Sequence, residues 1–585
     1  MPECFLWAIF AVFFQTIYHI TIYMTNLSFP SFIAKWSVAA ALLNITTISM
    51  AQQTPLPTMR ANDKVLRIVN RHKGKTWTNR YPWLVNPELK PDVYETSAQK
   101  VTFISDCDSI SFNVEPGGVY DFAVLLNGRD SAYTRIEGIS DNPLEDPPTR
   151  IRTISPSGLL SRRQAQFDIN ALIYAISEIH PSMFHTCGQE RLMAAADSVK
   201  RSLPDSLTRS DLFLAAAPLV AMIGDGHTCL RPPVVDDERW LPMDIEVGLD
   251  DYTLHVSRCI DNIIPENAEV TAINGIPART MLEHMMEGMS GERYFFRLAR
   301  VEGYFQTLFQ LMYKADEYTV EYRKSGSRKT SKAVLPATRL EEIRSRIAKK
   351  KNRYEGRDAY SFTIMKDKGV AVMDFLSMEN HGRMRTFADS MFTVLHDNGI
   401  RNLIIDIRDN GGGNSQVGDE LLRHISPRPF KQFAKSFVRI TPTTLRNSKM
   451  TETAPGLSFH DSGDNNMTEP LPDGKGRFNG NVYLLISHRT FSSASSFSWA
   501  FRQFGMGTVI GEESGGMNVS FGDNIYYRMP ISNLQCTISF KRFWLYGADE
   551  HDIHGTMPDV AVPADRAMEK ALEIISKPVH ETVSK

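Results

Sequence analysis

The sequence predicts a multidomain α/β protein: an N-terminal β-domain, a helical domain, a second β-domain and a C-terminal α/β core on a mixed sheet. Three observations carry that expectation. Residues 100–130 (KVTFISDCDSISFNVEPGGVYDFAVLLNGRD) alternate apolar and polar side chains, the period of a half-buried strand. Residues 164–223 repeat their apolar positions at helical spacing instead. From about 360 onward, apolar runs such as LIIDI (403–407) and YLLI (483–486) sit between amphipathic stretches, as buried strands joined by crossover helices do.

The chain opens on two apolar segments. Residues 4–24 are nearly uncharged and long enough to span a bilayer. The second resembles a secretory signal peptide: Lys35 supplies the positive start, residues 36–50 the apolar stretch, and Ser49-Met50-Ala51 a small-residue cleavage site. Met24 as the true start would make the first segment an upstream artefact; otherwise that segment is a membrane anchor. The expectation is export with cleavage near Ala51, so a secreted, periplasmic or cell-envelope protein, with membrane contact only if the first segment is retained.

Five stretches follow from the pattern: 1–51 as apolar N-terminus and signal, 58–140 as a sandwich-like β-domain, 160–230 as the helical domain, 231–345 as the second β-domain and 355–585 as the α/β core. Pro116-Gly117-Gly118 and Asn127-Gly128 mark turns in the first β-domain. Thr208 and Ser210 are candidate helix caps in the helical one. The text AEVTAINGIPA (268–278) resembles a PDZ-like module, whose groove would take an extended peptide by strand addition. A β-domain that only packs on its neighbours fits the same text. The polar stretch HDSGDNN (460–466) reads as a loop or lid.

Composition excludes some functions. A formal net charge of −2 over 585 residues leaves no basic face for nucleic acid. The six cysteines are scattered with no CxxC pair, which argues against metal ligation.

Three segments of the chain carry candidate chemistry. In TFSSAS (490–495) serines stand where a strand turns into a helix; a nucleophile needs such exposure, a nearby base and amide donors. Simple capping would explain the same serines. In DIRDNGGGN (406–414) three glycines let backbone amides face a ligand, as an oxyanion loop or a tight turn would. In GDGHT (224–228) a histidine lies on a loop after the last helix of the helical domain. Glu512 and Glu513 are neighbours on one strand and point to opposite faces, which argues against a glycosidase pair.

GDGHT, DIRDNGGG and TFSSAS…IGEESGG, in this order, resemble the tail-specific (C-terminal processing) protease clan, and its tricorn-like branch more than its Ser–Lys branch. The resemblance covers about 164–567 and implies a crotonase/ClpP-like core. It also implies roles. Ser493 matches the nucleophile, with Ser492 one position off as competitor. Gly411 and Gly412 match the oxyanion loop, the second donor being the Ala494 amide. The Ser–Lys branch carries a lysine after the GE…G segment; this chain has Asn518 near that place, so His227 takes the base role instead. Asp552, three positions before Gly555, matches the orienting acid, with Glu550 as the alternative.

The expected function is an exported serine peptidase that acts on peptides or proteins through an acyl-enzyme, chemistry that implies no metal or organic cofactor. Two other readings stay open: a binding protein of the same clan that has lost catalysis, and an esterase using the same residues.

Overall fold

In a computed structural model, the described residues are the backbone of six strands between 64 and 137, and residues 155–577 apart from 156, 236–238, 250, 348–357, 441–443, 445–455, 475 and 550–551. The expected signal, the anchor and Glu550 lie outside the described residues.

The core is a six-stranded sheet in the order Tyr360–Met365, Val370–Phe375, Asn402–Asp406, Asn481–Ile486, Thr508–Gly511, Val560–Ala561. The first pair is antiparallel and every later pair is parallel. Its four central strands are buried on both faces, which is why they read as unbroken apolar runs, whereas the edge strand Tyr360–Met365 alternates. Ala371, Met373, Leu403, Ile405 and Leu484 pack on one side in a cluster with helices His381–Asp397, Ser415–Ile425 and Ser493–Gln503. Val372, Ile404, Tyr483 and Leu485 pack on the other, with Ala567 and Ala571 of helix Ala567–Ser576. Alternate residues of one strand therefore serve opposite layers.

A second, antiparallel sheet runs Gly456–Asp461, Phe433–Ile440, Gln535–Leu545, Val519–Arg528. Here the structure corrects the reading of 460–466 as a loop: His460 and Asp461 end a strand paired with Phe433–Ile440, so Ser436 faces His460. That pairing joins segments about twenty residues apart, which no local pattern shows.

Helix Arg162–Ile179 docks on this second sheet through apolar packing, in a cluster that joins Leu172 and Ile176 to Val438, Ile525 and Ile538, and through two polar clamps. Buried Asp168 accepts hydrogen bonds from the amides of Ile531 (2.9 Å) and Ser532 (2.7 Å). Burial pushes its carboxyl up to about 6, against the pull of those donors. Buried Arg439 donates to the carbonyls of Ser177 and His180. A further antiparallel sheet of six strands over 243–336 carries helices Ala278–Glu287 and Tyr294–Tyr313. Among the described residues no helix is long and apolar enough to cross a membrane.

Candidate active site

The histidine loop grows out of a well-capped helix. Thr208 and Asp211 form a capping box at the start of Arg209–Ala221, so the helix register is set at its N-terminus. The chain then leaves the helix and pairs Cys229–Leu230 with strand Gln535–Leu545, Cys229 facing Thr537 and Leu230 facing Cys536. Three side-chain bonds fasten the loop there. Thr537 Oγ1 donates to the His227 carbonyl (2.7 Å), the Ser539 amide to Thr228 Oγ1 (3.0 Å) and Ser539 Oγ to Asp225 Oδ2 (2.7 Å). The imidazole of the helical segment is thereby held over the core, with its ring 4.5 Å from that of Phe491.

His227 Nε2 lies 2.9 Å from Ser492 Oγ. It does not meet Ser493, the serine expected to be the nucleophile: Ser493 Oγ donates to the Gly413 carbonyl at 2.7 Å. The physical reason is local. Ser492 is the N-cap of helix Ser493–Gln503 and sits at φ 54°, ψ −127°, a conformation a side chain rarely adopts. That sharp turn aims the two neighbouring hydroxyls in different directions. A non-glycine residue held at such an angle costs on the order of 1–3 kcal/mol and persists only where its surroundings impose it. Gly412 leaves room for this close approach: at φ +100°, a Cβ on it would fall 2.8 Å from both Ser492 Cβ and the Ser493 nitrogen.

The amides around the serine also differ from the expected set. The Gly412 amide donates to Asn410 Oδ1 (2.8 Å), and the Ala494 amide to the Phe491 carbonyl (3.1 Å), so neither is available to a ligand. Gly411 and Gly413 are both exposed. Among the described residues the amides of Gly411, Gly413 and Ser493 make no hydrogen bond. Asn410 braces the loop, since its Nδ2 also donates to the Phe375 carbonyl at 2.8 Å.

Asp552, the expected orienting acid, stands apart from His227. Asp552 accepts from Asn518 Nδ2 (2.8 Å) and from the His554 amide (3.0 Å), and does not pair with His227. The carboxylate beside the imidazole is Asp225, whose Oδ1 is 3.9 Å from His227 Nδ1 and accepts the His227 amide at 2.8 Å. Asp225 is fully buried. Burial opposes its charge, but His180, His227 and Thr228 outweigh burial and hold the carboxyl well below the usual range. Burial likewise lowers the His227 pKa, assisted by Arg300 and opposed by Asp225 and Asp523. Both groups therefore sit in the forms a base and its partner need near neutral pH. A second carboxyl, Glu292, packs against Gly226. Its oxygens are buried without a hydrogen-bond partner. Burial and then the Asp225 charge push it up to about 8, so it is protonated at neutral pH.

Sequence reading missed Asp225, although it stands inside the GDGHT motif two residues before the histidine, and an aspartate there accepts that residue's own amide. It also missed Glu292, and it took His180 as a helix end, which it is, without its place beside Asp225.

Ser492 and His227 open into a cleft of about 370 Å³ walled by Gly413, Phe433, Phe521 and Phe543. Lys541, a lysine on the neighbouring strand Gln535–Leu545, is paired with Asp523 at 2.7 Å. Among the described residues no group of three or more His, Cys, Asp or Glu side chains could hold a metal ion.

Residues 369–562 match the profile of Peptidase family S41. The solved structure of mature CPAF complexed with lactacystin is similar at a TM-score of 0.52 and 13% identity, covering 71% of this chain and 97% of that one. Mature CPAF alone gives 0.50 and 13%, with 71% and 96% covered. The photosystem II D1 C-terminal processing protease aligns at 0.36 and 13%, over 71% and 98%.

Proposed function

We propose, for a chain whose residues 369–562 match Peptidase family S41, that Ser492 is the nucleophile and His227 its general base. The chain is a serine peptidase of the tail-specific protease clan; the residue roles and steps that follow are our reading. The single observation that carries it is the 2.9 Å contact between His227 Nε2 and Ser492 Oγ.

With the Asp225 carboxylate facing Nδ1, the favoured neutral tautomer keeps its proton on Nδ1, and Nε2 accepts from the Ser492 hydroxyl. As Ser492 Oγ bonds to the scissile carbonyl carbon, its proton passes to Nε2. The carbonyl oxygen becomes an oxyanion between the amides of Gly413 and Ser493. His227 then gives the proton to the leaving amine as the C–N bond breaks. Water repeats the sequence on the acyl-enzyme. Asp225 stabilises the imidazolium that forms in both halves. The phenylalanine-walled cleft suits an apolar side chain beside the scissile bond. Export by way of residues 35–51 and a PDZ-like, peptide-holding role for 231–345 belong to the same proposal.

A fluorophosphonate probe followed by peptide mapping tests the assignment. The adduct is expected on Ser492, with loss of peptide hydrolysis in proportion to labelling. An adduct on Ser493 with Ser492 unmodified would overturn it. Turnover of matched ester and amide substrates separates a peptidase from an esterase.

A further inference from the structure

We infer that His180 is a positioning residue for catalysis, acting on Asp225 from the side opposite His227; the inference rests on the Ser492–His227 reading above. The motivating geometry is a carboxylate set between two imidazoles. Asp225 Oδ1 is 3.9 Å from His227 Nδ1, and Asp225 Oδ2 is 3.3 Å from His180 Nε2. Asp225 and His180 are both fully buried, so neither can exchange its partner for water.

The tautomer of His180 is set locally. The Ser182 amide donates to His180 Nδ1 at 3.1 Å, so in the neutral ring that nitrogen is an acceptor and Nε2 carries the hydrogen. That hydrogen faces Asp225 Oδ2. The contact is within ion-pair reach but falls short of hydrogen-bond alignment, which leaves Ser539 Oγ as the shorter donor to the same oxygen. The ring is held in turn: its centroid is 4.5 Å from that of Phe521, a wall of the substrate cleft, and the His180 carbonyl accepts from Arg439 at 3.1 Å. His180 ends helix Arg162–Ile179 as its C-cap, so the docking of that helix sets the position of the imidazole.

The physical role follows from where charge develops. When His227 takes the serine proton, the new imidazolium is stabilised by a carboxylate that must be ionised and correctly turned. Beside the Ser539 hydroxyl bond, the N–H of His180 near Oδ2 adds an electrostatic attraction that favours the rotamer presenting Oδ1 to His227. It also replaces solvation that burial has removed. His180 touches neither substrate nor the reacting atoms; it acts through Asp225.

The test uses the full chain and two polar replacements of similar size. His180→Gln can place an amide N–H near the position of Nε2. His180→Asn can still accept from Ser182 but is too short to reach Asp225. Peptide hydrolysis and the rate of fluorophosphonate labelling at Ser492 are measured for both, alone and in an Asp225→Asn background, with thermal unfolding as the check on folding. The expected result is a loss of about 10- to 100-fold in kcat for His180→Asn, the scale of one hydrogen bond to a charged group, with KM unchanged. The Gln variant should recover most of that loss. In Asp225→Asn the two replacements should become indistinguishable, because the group they act through is gone. Equal activity of His180→Asn and wild type, equal losses for Asn and Gln, or losses that simply add to that of Asp225→Asn would each overturn the inference. Should His180→Asn not fold, His180→Phe, which keeps the ring against Phe521, takes its place under the same criteria. If wild type is labelled at a residue other than Ser492, or not at all, it is the nucleophile assignment that fails instead.

Discussion

His227 Nε2 stands 2.9 Å from Ser492 Oγ, across 265 residues of chain, while the adjacent Ser493 turns its hydroxyl to the Gly413 carbonyl. The two serines are thus separable by experiment. Ser492→Ala should abolish measurable peptide hydrolysis and fluorophosphonate labelling, yet leave the thermal unfolding midpoint close to wild type. Ser493→Ala removes one hydroxyl bond and keeps the amide, so its kcat/KM should fall by less than about tenfold, the scale of a single neutral hydrogen bond. The reverse order of effects would move the nucleophile one residue along the helix.

Asp225 supports the imidazole in two ways, by charge and by fixing the loop through the His227 amide. Asp225→Asn should therefore lower kcat far more than it raises KM, by roughly 10²–10⁴-fold, the range seen when a triad acid is neutralised. The pH profile checks the same group. Burial lowers the His227 pKa, so the neutral base persists below the ordinary histidine value, and the acid limb of kcat/KM should lie under about 6.5. Removing the Asp225 charge removes an attraction that raises this pKa, so the limb should move to still lower pH in Asp225→Asn. A limb that moves upward would mean that another group controls the profile.

Much of the site was legible because its parts are short, contiguous motifs: GDGHT, DIRDNGGG and TFSSAS each lie on one strand-to-helix or helix-to-strand junction. What failed depended on a single dihedral angle or on distant partners. A positive φ at Ser492 decides which of two neighbouring hydroxyls turns inward, and residue types alone do not encode it. Of the amides expected to face a ligand, those of Gly412 and Ala494 are engaged by Asn410 and Phe491, which only the folded loop reveals. Asp552 came from resemblance to a family pattern, while Asp225 needed only the observation that an aspartate two residues before a histidine can accept its amide. The core strands were readable as apolar runs because both faces are buried. The Gly456–Asp461 strand was not, since its pairing with Phe433–Ile440 leaves polar residues exposed.

Glu292 gives a stability prediction with a definite sign. Its carboxyl titrates at about 8 in the folded chain against an ordinary value of 4.5. Between those two values the unfolded chain has lost this proton and the folded chain has kept it. The fold is then destabilised progressively as pH rises from about 4.5 to about 8, and the contribution is flat outside that window. Glu292→Gln removes the titration while keeping the shape. The variant should therefore gain on wild type as pH rises, with a higher unfolding midpoint at pH 8 and a smaller difference at pH 4.5. A constant difference across that range would show that Glu292 does not carry the shift.

Gly413 is where backbone geometry and catalysis meet. It sits at φ +136°, and a Cβ placed on it would fall 2.3 Å from the Met378 carbonyl oxygen. Met378 in turn holds the loop by donating its amide to the Gly412 carbonyl (3.0 Å) and accepting that of Asn414 (2.7 Å). Alanine cannot enter this space unless the backbone moves, and the segment that moves carries the amide proposed to face the oxyanion. Loss of one such donor typically costs about 10²–10³ in rate. Gly413→Ala should therefore lower kcat by at least that range and also lower the unfolding midpoint. Gly411→Ala, at an exposed position where a Cβ meets nothing within 4 Å, is the contrast and should be near wild type in stability. If instead Gly411→Ala is the variant that loses kcat and Gly413→Ala retains it, the oxyanion donor has been assigned two residues too far along the loop.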